Sequence, residues 1–252
     1  MIKRNHLLII WPANVVYLIE DAIMKRKFII SSLIILLCML PVFDISNIYA
    51  EGKVTKLNLD DKVMAFIESR RDTWRDMNIP ETDGKILYDL IIKNNYKNAL
   101  EIGTSTGHST IWIAWALSKT GGKVITIEIN EERYRKALAN FKEAGLSDFI
   151  DARLADAHAL VKQLKGPFDF VFSDADKEWY TNYFIDVYPK LMVGGCYTAH
   201  NVTDRKRGRS WARGADEFYE YIKSSPNLET TLDSSGNGVS ISYKKSTGRK
   251  HL

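Results

Sequence analysis

The stretch Asn98-Ala-Leu-Glu101-Ile-Gly103-Thr-Ser-Thr-Gly107-His-Ser109 decides the fold. Asn98–Ile102 is a short apolar run suited to a buried strand. Gly103 to Gly107 is a turn bounded by glycines, and the apolar run Ser109–Leu117 behind it reads as a helix. Glycines let a backbone pass close to a ligand, and a helix opening at such a turn presents unpaired N–H groups to an anionic group. The same rhythm repeats downstream. After Gly121-Gly122 come a β-rich strand at Lys123–Ile129, an amphipathic helix at Glu131–Ala144 closed by Gly145, and a strand at Phe149–Leu154. Gly166-Pro167 leads into a strand at Phe168–Ser173, followed by a helix at Glu178–Leu191. Gly194-Gly195 precedes a strand at Cys196–Ala199, a helix covers 214–224, and two last strands cover about 228–233 and 238–243. Upstream, 56–78 has helical spacing and stops at Pro80, and 83–94 reads as a second helix with Asp83 as its N-cap.

Strands alternating with helices imply right-handed crossovers and a mostly parallel sheet covered on both faces, an α/β fold. Ligands of such sheets bind at the carboxyl ends of the strands. That rule directs attention to 101–109, 128–130, 155–157, 173–177 and 199–201.

The chemistry-bearing residues fall in these segments. The Gly103–Gly107 turn is neither a GxGxxG dinucleotide fingerprint nor a GK[ST] phosphate loop. Glu128 ends the second strand, twenty-five residues after Gly103, where a carboxylate can accept both hydroxyls of a ribose. Turn and acid together favour a nucleoside-containing cofactor and leave NAD and S-adenosylmethionine (SAM) both open. The string Gly166-Pro-Phe-Asp-Phe-Val-Phe-Ser-Asp174-Ala-Asp176-Lys177-Glu-Trp-Tyr180 then sets two carboxylates and a lysine just past a buried strand.

With LEIGTSTGHST, that string resembles the catechol / caffeoyl-CoA type of class I SAM-dependent O-methyltransferase. The resemblance is close over about 79–201 and looser over 56–78 and 214–244. It implies a Rossmann-like fold with a mostly parallel seven-stranded sheet, and methyl transfer from SAM to a hydroxyl of a small, aromatic or catechol-like acceptor. By position it implies that Gly103 and Ser109, with Glu101 beside them, hold the methionine part of SAM. Glu128 is then the ribose ligand, Asp156-Ala157 lie against the adenine, and Tyr183 is an aromatic near the cofactor. Asp174 matches a carboxylate that binds a divalent metal, Lys177 the general base, and Asn201 a second metal ligand. The chemistry is coherent: a neutral hydroxyl is a poor nucleophile at pH 7, and a metal on its oxygen or a lysine that takes its proton activates it. The resemblance also implies a homodimer.

One position departs from the pattern. Relatives carry Asp-Asn where this chain has His200-Asn201. A magnesium site is built from oxygens, and an imidazole in place of a carboxylate favours zinc, iron, cobalt or nickel. Three readings stay open: His200 ligates such a metal, with Asp174 and Asn201; His200 is a base in a metal-free enzyme; or the metal site is lost, and with it catalysis, leaving a SAM-binding protein. A further alternative is RNA methylation, as in some relatives that modify tRNA. The basic run Arg205-Lys-Arg207-Gly-Arg209 with Arg213 favours it or capture of an acidic substrate, against the simpler reading of a solvated loop. Trp179 and Trp211 are candidates for a flat wall against an aromatic acceptor, or for ordinary packing. His108 reads as a partly exposed residue at a helix start.

The N-terminus reads separately. Lys25-Arg26-Lys27 precede Phe28 to Phe43, sixteen residues without charge, and Tyr49-Ala50 precede Glu51. That is the pattern of a secretory signal cleaved after Ala50, with an uncleaved membrane anchor as the alternative. Met24 stands directly before the basic triplet and is the expected true start. Residues 1–50 are thus expected to be an extension and 51–252 the enzyme domain, exported or anchored, or cytoplasmic if this N-terminal reading fails. Outside the first fifty residues, 30 basic and 28 acidic residues remain, so global charge gives no argument for a nucleic-acid partner. The cysteines are Cys38 and Cys196; without the extension a single thiol remains and no internal disulfide can form.

Overall fold

The structure is a computed structural model, described here over residues 59–74, 77–204 and 213–246. The expected extension at 1–50, the basic run 205–209 and Trp211 lie outside these residues, as does the side chain of Arg213. Among the described residues no helix is long and apolar enough to cross a membrane.

The elements run α1 (59–70), α2 (Glu81–Asn94), β1 (Asn98–Ile102), α3 (His108–Thr120), β2 (Lys123–Glu128), α4 (Glu131–Ala144), β3 (Ile150–Leu154), α5 (Ala157–Gln163), β4 (Phe168–Ser173), α6 (Tyr180–Val187), β5 (Leu191–His200), α7 (Arg213–Lys223), β6 (Leu228–Asp233) and β7 (Val239–Lys244). The seven strands form one sheet in the order β3-β2-β1-β4-β5-β7-β6. The first five are parallel, and β7 runs antiparallel to both β5 and β6. The chain therefore moves outward from β1 in one direction, then returns to β1 and moves outward in the other. The reversal lies between β1 and β4, where a parallel sheet opens a crevice at its carboxyl edge.

Both faces of the sheet are buried, which explains why the central strands read as continuous apolar runs. Phe170 and Phe172 of β4 pack on one face with Leu87, Ile91, Ile111 and Leu117. Val171 points to the other, with Leu100, Ile102, Tyr180, Phe184, Tyr197 and Phe218. Phe168 shares the Val171 face although it lies an even number of residues from Phe170. The pairing register of β4 with β5 shifts between Phe168 and Phe170, which accounts for the change.

Local chemistry sets the helix ends. Asn130 caps α4 by accepting from the Arg133 N–H, and Gly145 closes it at a left-handed φ of 77°. Three expectations need correction. Asp83 is not an N-cap: Pro80 holds that position and Asp83 sits inside the first turn of α2 with its side chain buried. The expected helix 178–191 is a 3-10 turn, then α6, then a second 3-10 turn containing Pro189, whose missing N–H cannot continue the ladder. Strand β5 starts at Leu191, ahead of Gly194-Gly195 rather than after them. Helix α5 has no counterpart in the sequence reading.

Candidate active site

The carboxyl ends of β1, β2 and β4 enclose a cavity of about 470 Å³, lined by Gly103, Ser105, Ser109, Glu128, Asp156, Ala157, Asp174 and Tyr183 among others. That volume lies within the ordinary range for small-molecule sites. The turn after β1 forms its floor. Gly103 has φ 100°, and a Cβ there would stand 2.8 Å from the Asp174 carbonyl oxygen, so a side chain is excluded twice over. The N–H groups of Gly103 and Thr104 both donate to the Ile127 carbonyl at 3.1 Å, tying the turn to β2. Glu128 locks the arrangement: its Oε2 accepts from the Ser105 N–H at 2.7 Å and its Oε1 from the Asn130 N–H at 2.9 Å. Each oxygen keeps a lone-pair direction for a further donor.

Glu101 does not line the cavity. It lies fully buried beneath the turn, where its Oε2 accepts from the Thr110 and Thr126 hydroxyls and the Ser109 hydroxyl bonds to the carboxyl as well. Its Oε1 has no partner. Burial raises its pKa to about 7, against the pull of the three hydroxyls.

The far end of the cavity joins the expected Asp156 and Tyr183 to His158 and Met77, which the sequence did not single out. Asp156 caps α5, accepting from the His158 N–H at 2.9 Å. Tyr183 donates its hydroxyl to Asp176 Oδ1 at 2.7 Å, and His158 Nε2 lies 3.1 Å from Asp176 Oδ2. The His158 ring rests on Trp179 with centroids 4.2 Å apart. Met77 and Ile129 flank the cavity with 70% of their surface exposed. Asp176 stood in the decisive string; His158 had a usable signal, being the residue after Asp156-Ala157 in a helix's first turn. Met77 had none, since its left-handed φ of 52° comes from tertiary placement.

Beside Asp174 the structure assembles a row of charged groups. Lys177 Nζ donates to Asp174 Oδ1 at 2.5 Å and to the Tyr180 hydroxyl at 2.7 Å. Tyr180 in turn donates to the His200 carbonyl at 3.1 Å. His200 Nδ1 lies 3.2 Å from Asp174 Oδ2, and Nε2 lies 2.7 Å from Asp83 Oδ2. Burial alone would lower the His200 pKa, but the charge of Asp174 and hydrogen bonds to Asp174 and Asp83 raise it to about 9. Burial likewise works against the Asp174 carboxylate, yet His200 and Lys177 hold its pKa below the ordinary value. Asn201 follows at a left-handed φ of 58° and does not line the cavity.

This geometry is what comparison with known proteins can now be set against. Residues 50–245 match the O-methyltransferase family model. The chain belongs to the O-methyltransferase family. It is 38% identical over 184 residues to a catechol O-methyltransferase of Niastella koreensis, covering 69% of this chain and 83% of that one. It is 31% identical over 185 residues to caffeoyl-CoA O-methyltransferase 1 of Eucalyptus globulus, covering 67% and 75%. The structure is similar to that of an O-methyltransferase from Bacillus cereus in complex with SAH, with a TM-score of 0.60, 28% identity, and coverage of 74% and 90%. The expected fold and enzyme class thus hold: this is a class I SAM-dependent O-methyltransferase with a Rossmann-like sheet.

One expectation at the site does not hold. His108 is not partly exposed: it is 3% exposed, its Nδ1 bonded to the Ile79 carbonyl at 2.9 Å and its Nε2 accepting from Trp112. Burial drops its pKa to about 4, so it is a neutral core residue. The set Asp174, His200 and Asn201, as arranged here, is a poor fit for a metal. A metal ligand needs a free lone pair on nitrogen, and both ring nitrogens of His200 face carboxylate oxygens. Among the described residues no three His, Cys, Asp or Glu side chains converge as a metal cage.

Proposed function

We propose that this enzyme methylates a hydroxyl of a small catechol-like acceptor, with Lys177 as the group that takes the acceptor's proton. The observation that carries the reading is the placement of the Lys177–Asp174 pair directly beside the cavity that Gly103, Ser109 and Glu128 shape. The acceptor class follows the names of the relatives, a catechol and a caffeoyl-CoA O-methyltransferase.

SAM fits the residues present. Glu128 has lone pairs left for the ribose hydroxyls. Glu101 has an unpartnered buried oxygen and reaches the cavity through Ser109, a combination suited to the ammonium of the methionine part. Asp156 and Ala157 at the start of α5, with the exposed face of Ile129, form an apolar and polar edge for adenine. Bound there, SAM supplies an electrophilic methyl carbon on a sulfonium; transfer breaks the S–C bond and forms the O–C bond. The enzyme's own part is orientation and proton transfer. Asp174 fixes Lys177 at one point, Tyr180 fixes it at a second, and the amine so held receives the proton of the acceptor hydroxyl.

The test is product analysis. The chain is incubated with SAM carrying a trideuterated methyl group and a panel of dihydroxyaromatics, among them dihydroxybenzoate and caffeate. The expected result is a singly labelled aryl methyl ether. Measured SAM binding with no labelled product from any hydroxyl compound would overturn the proposal.

A further inference from the structure

Resting on the methyl-transfer reading above, we infer that the row Asp83–His200–Asp174–Lys177 stands in for a divalent cation, so that the site is complete without metal. His200 is the positioning residue: its ring bridges two carboxylates, with one nitrogen on Asp83 and the other on Asp174.

Hydrogen-bond chemistry makes the case. A carboxylate only accepts, so a ring whose two nitrogens each face a carboxylate oxygen must donate from both. His200 and Asp83 are sealed, with side chains 3% and 1% exposed, while Asp174, which lines the cavity, and Lys177 are 13% and 14% exposed. The signs alternate along the row, acid, ring, acid, ammonium, so the buried charges compensate one another. Removing the ring would leave two buried carboxylates facing one another without a partner, a strongly unfavourable state.

Asp83 shows that the row is built rather than incidental. It comes from α2, outside the sheet, 117 residues from His200 in the chain. Its Oδ2 also accepts from the Asn237 N–H at 3.0 Å. The turn between β6 and β7 closes over it so tightly that a Cβ on Gly236 would stand 1.7 Å from Asp83 Oδ1. Tyr180 completes the lock by holding the His200 carbonyl and Lys177 with one hydroxyl.

The experiment compares ion binding and turnover in the full chain. Mn2+ binding is read from the free-ion electron paramagnetic resonance signal for the wild type, for His200→Asp, and for His200→Asp combined with Asp83→Asn, which relieves the new acid pair. Nitrogen-15 histidine spectra report the protons on the His200 ring. The wild type is expected to bind no Mn2+ at micromolar concentrations, to show two protonated ring nitrogens at neutral pH, and to keep its rate after chelation. The double variant is expected to bind Mn2+ at least about tenfold more tightly than wild type, because a carboxylate beside Asp174 suits a hard cation. Its turnover should then depend on the added ion. A wild type that binds Mn2+ or Zn2+ stoichiometrically with a change at the His200 ring overturns the inference, as does a folded double variant that binds no more Mn2+ than wild type. Ion binding and the ring spectra are read without turnover. An absence of any methylated acceptor would therefore count against the proposed function and leave this inference to be judged on its own data.

Discussion

Replacing Glu128 with Gln separates two roles that the structure gives one carboxylate. The side chain is nearly isosteric, but an amide has one acceptor oxygen where the carboxylate has two. Glu128 accepts from Ser105 N–H on one oxygen and from Asn130 N–H on the other. In Glu128→Gln one of these N–H groups meets an NH2 group, donor against donor. Leaving one part-buried donor without its acceptor costs about 1 kcal/mol, the lower end of the range for a buried group, and for a domain of this size that lowers the melting temperature of the ligand-free protein by roughly 2–4 °C per kcal/mol. The second role is ribose recognition. Loss of one charge-assisted hydrogen bond there costs about 1.5–3 kcal/mol, and since each 1.4 kcal/mol is tenfold, SAM affinity should fall by roughly 10- to 100-fold. Calorimetric titration with SAM and thermal unfolding of the free protein measure the two roles independently. A variant that melts lower but binds SAM within a factor of two would show that Glu128 only anchors the turn, and would refute its role at the ribose.

Three further outcomes follow from the same geometry. Lys177→Met should lower kcat by about 10²- to 10⁴-fold, the usual contribution of a positioned proton acceptor, while KM for SAM shifts little; steady-state kinetics with both substrates check this. Glu101→Gln should stabilise the ligand-free enzyme at pH 8 and weaken SAM binding. The Glu101 pKa is raised from 4.5 to about 7 in the fold, so folding carries no penalty while both states are protonated below about 4.5, and the full penalty, on the order of 3 kcal/mol, above about 7. The stability difference between variant and wild type should therefore grow from nothing near pH 4 to its maximum near pH 8 in paired unfolding curves. Gly103→Ala should destabilise the fold and depress SAM binding together, because its φ of 100° and the Asp174 carbonyl 2.8 Å from the new Cβ leave no relaxation that spares the turn; circular dichroism and calorimetry on one preparation test the pairing.

The sheet was largely legible in the sequence because its strands are short, apolar and punctuated by glycine. Asn98–Ile102 with Gly103, and Lys123–Glu128 ahead of Asn130, announce themselves by composition alone. Helix α5 did not, since its seven residues are too few for periodicity to speak. The cavity wall was legible where it follows strand ends, as at Glu128 and Asp174. Asp83 was not: a carboxylate near a helix start looks like a cap, and only the fold brings it to His200 across 117 residues. His108 misled for the same reason, because stacking on Trp74 and bonding to Ile79 and Trp112 are tertiary events. His200 was visible as a departure from the family pattern, but its consequence depends on Asp83. Local pattern records which face of an element is buried; it does not record which distant element arrives to bury it.

A crystal structure with SAH tests the central claim most directly, because it locates the nucleoside relative to named atoms. The ribose hydroxyls are expected on the Glu128 carboxylate, the amino-acid part above Ser109 and Glu101, and the sulfur turned toward Asp174 and Lys177. Density for SAH away from Glu128, or in the cavity with its sulfur pointing away from Lys177, would contradict it.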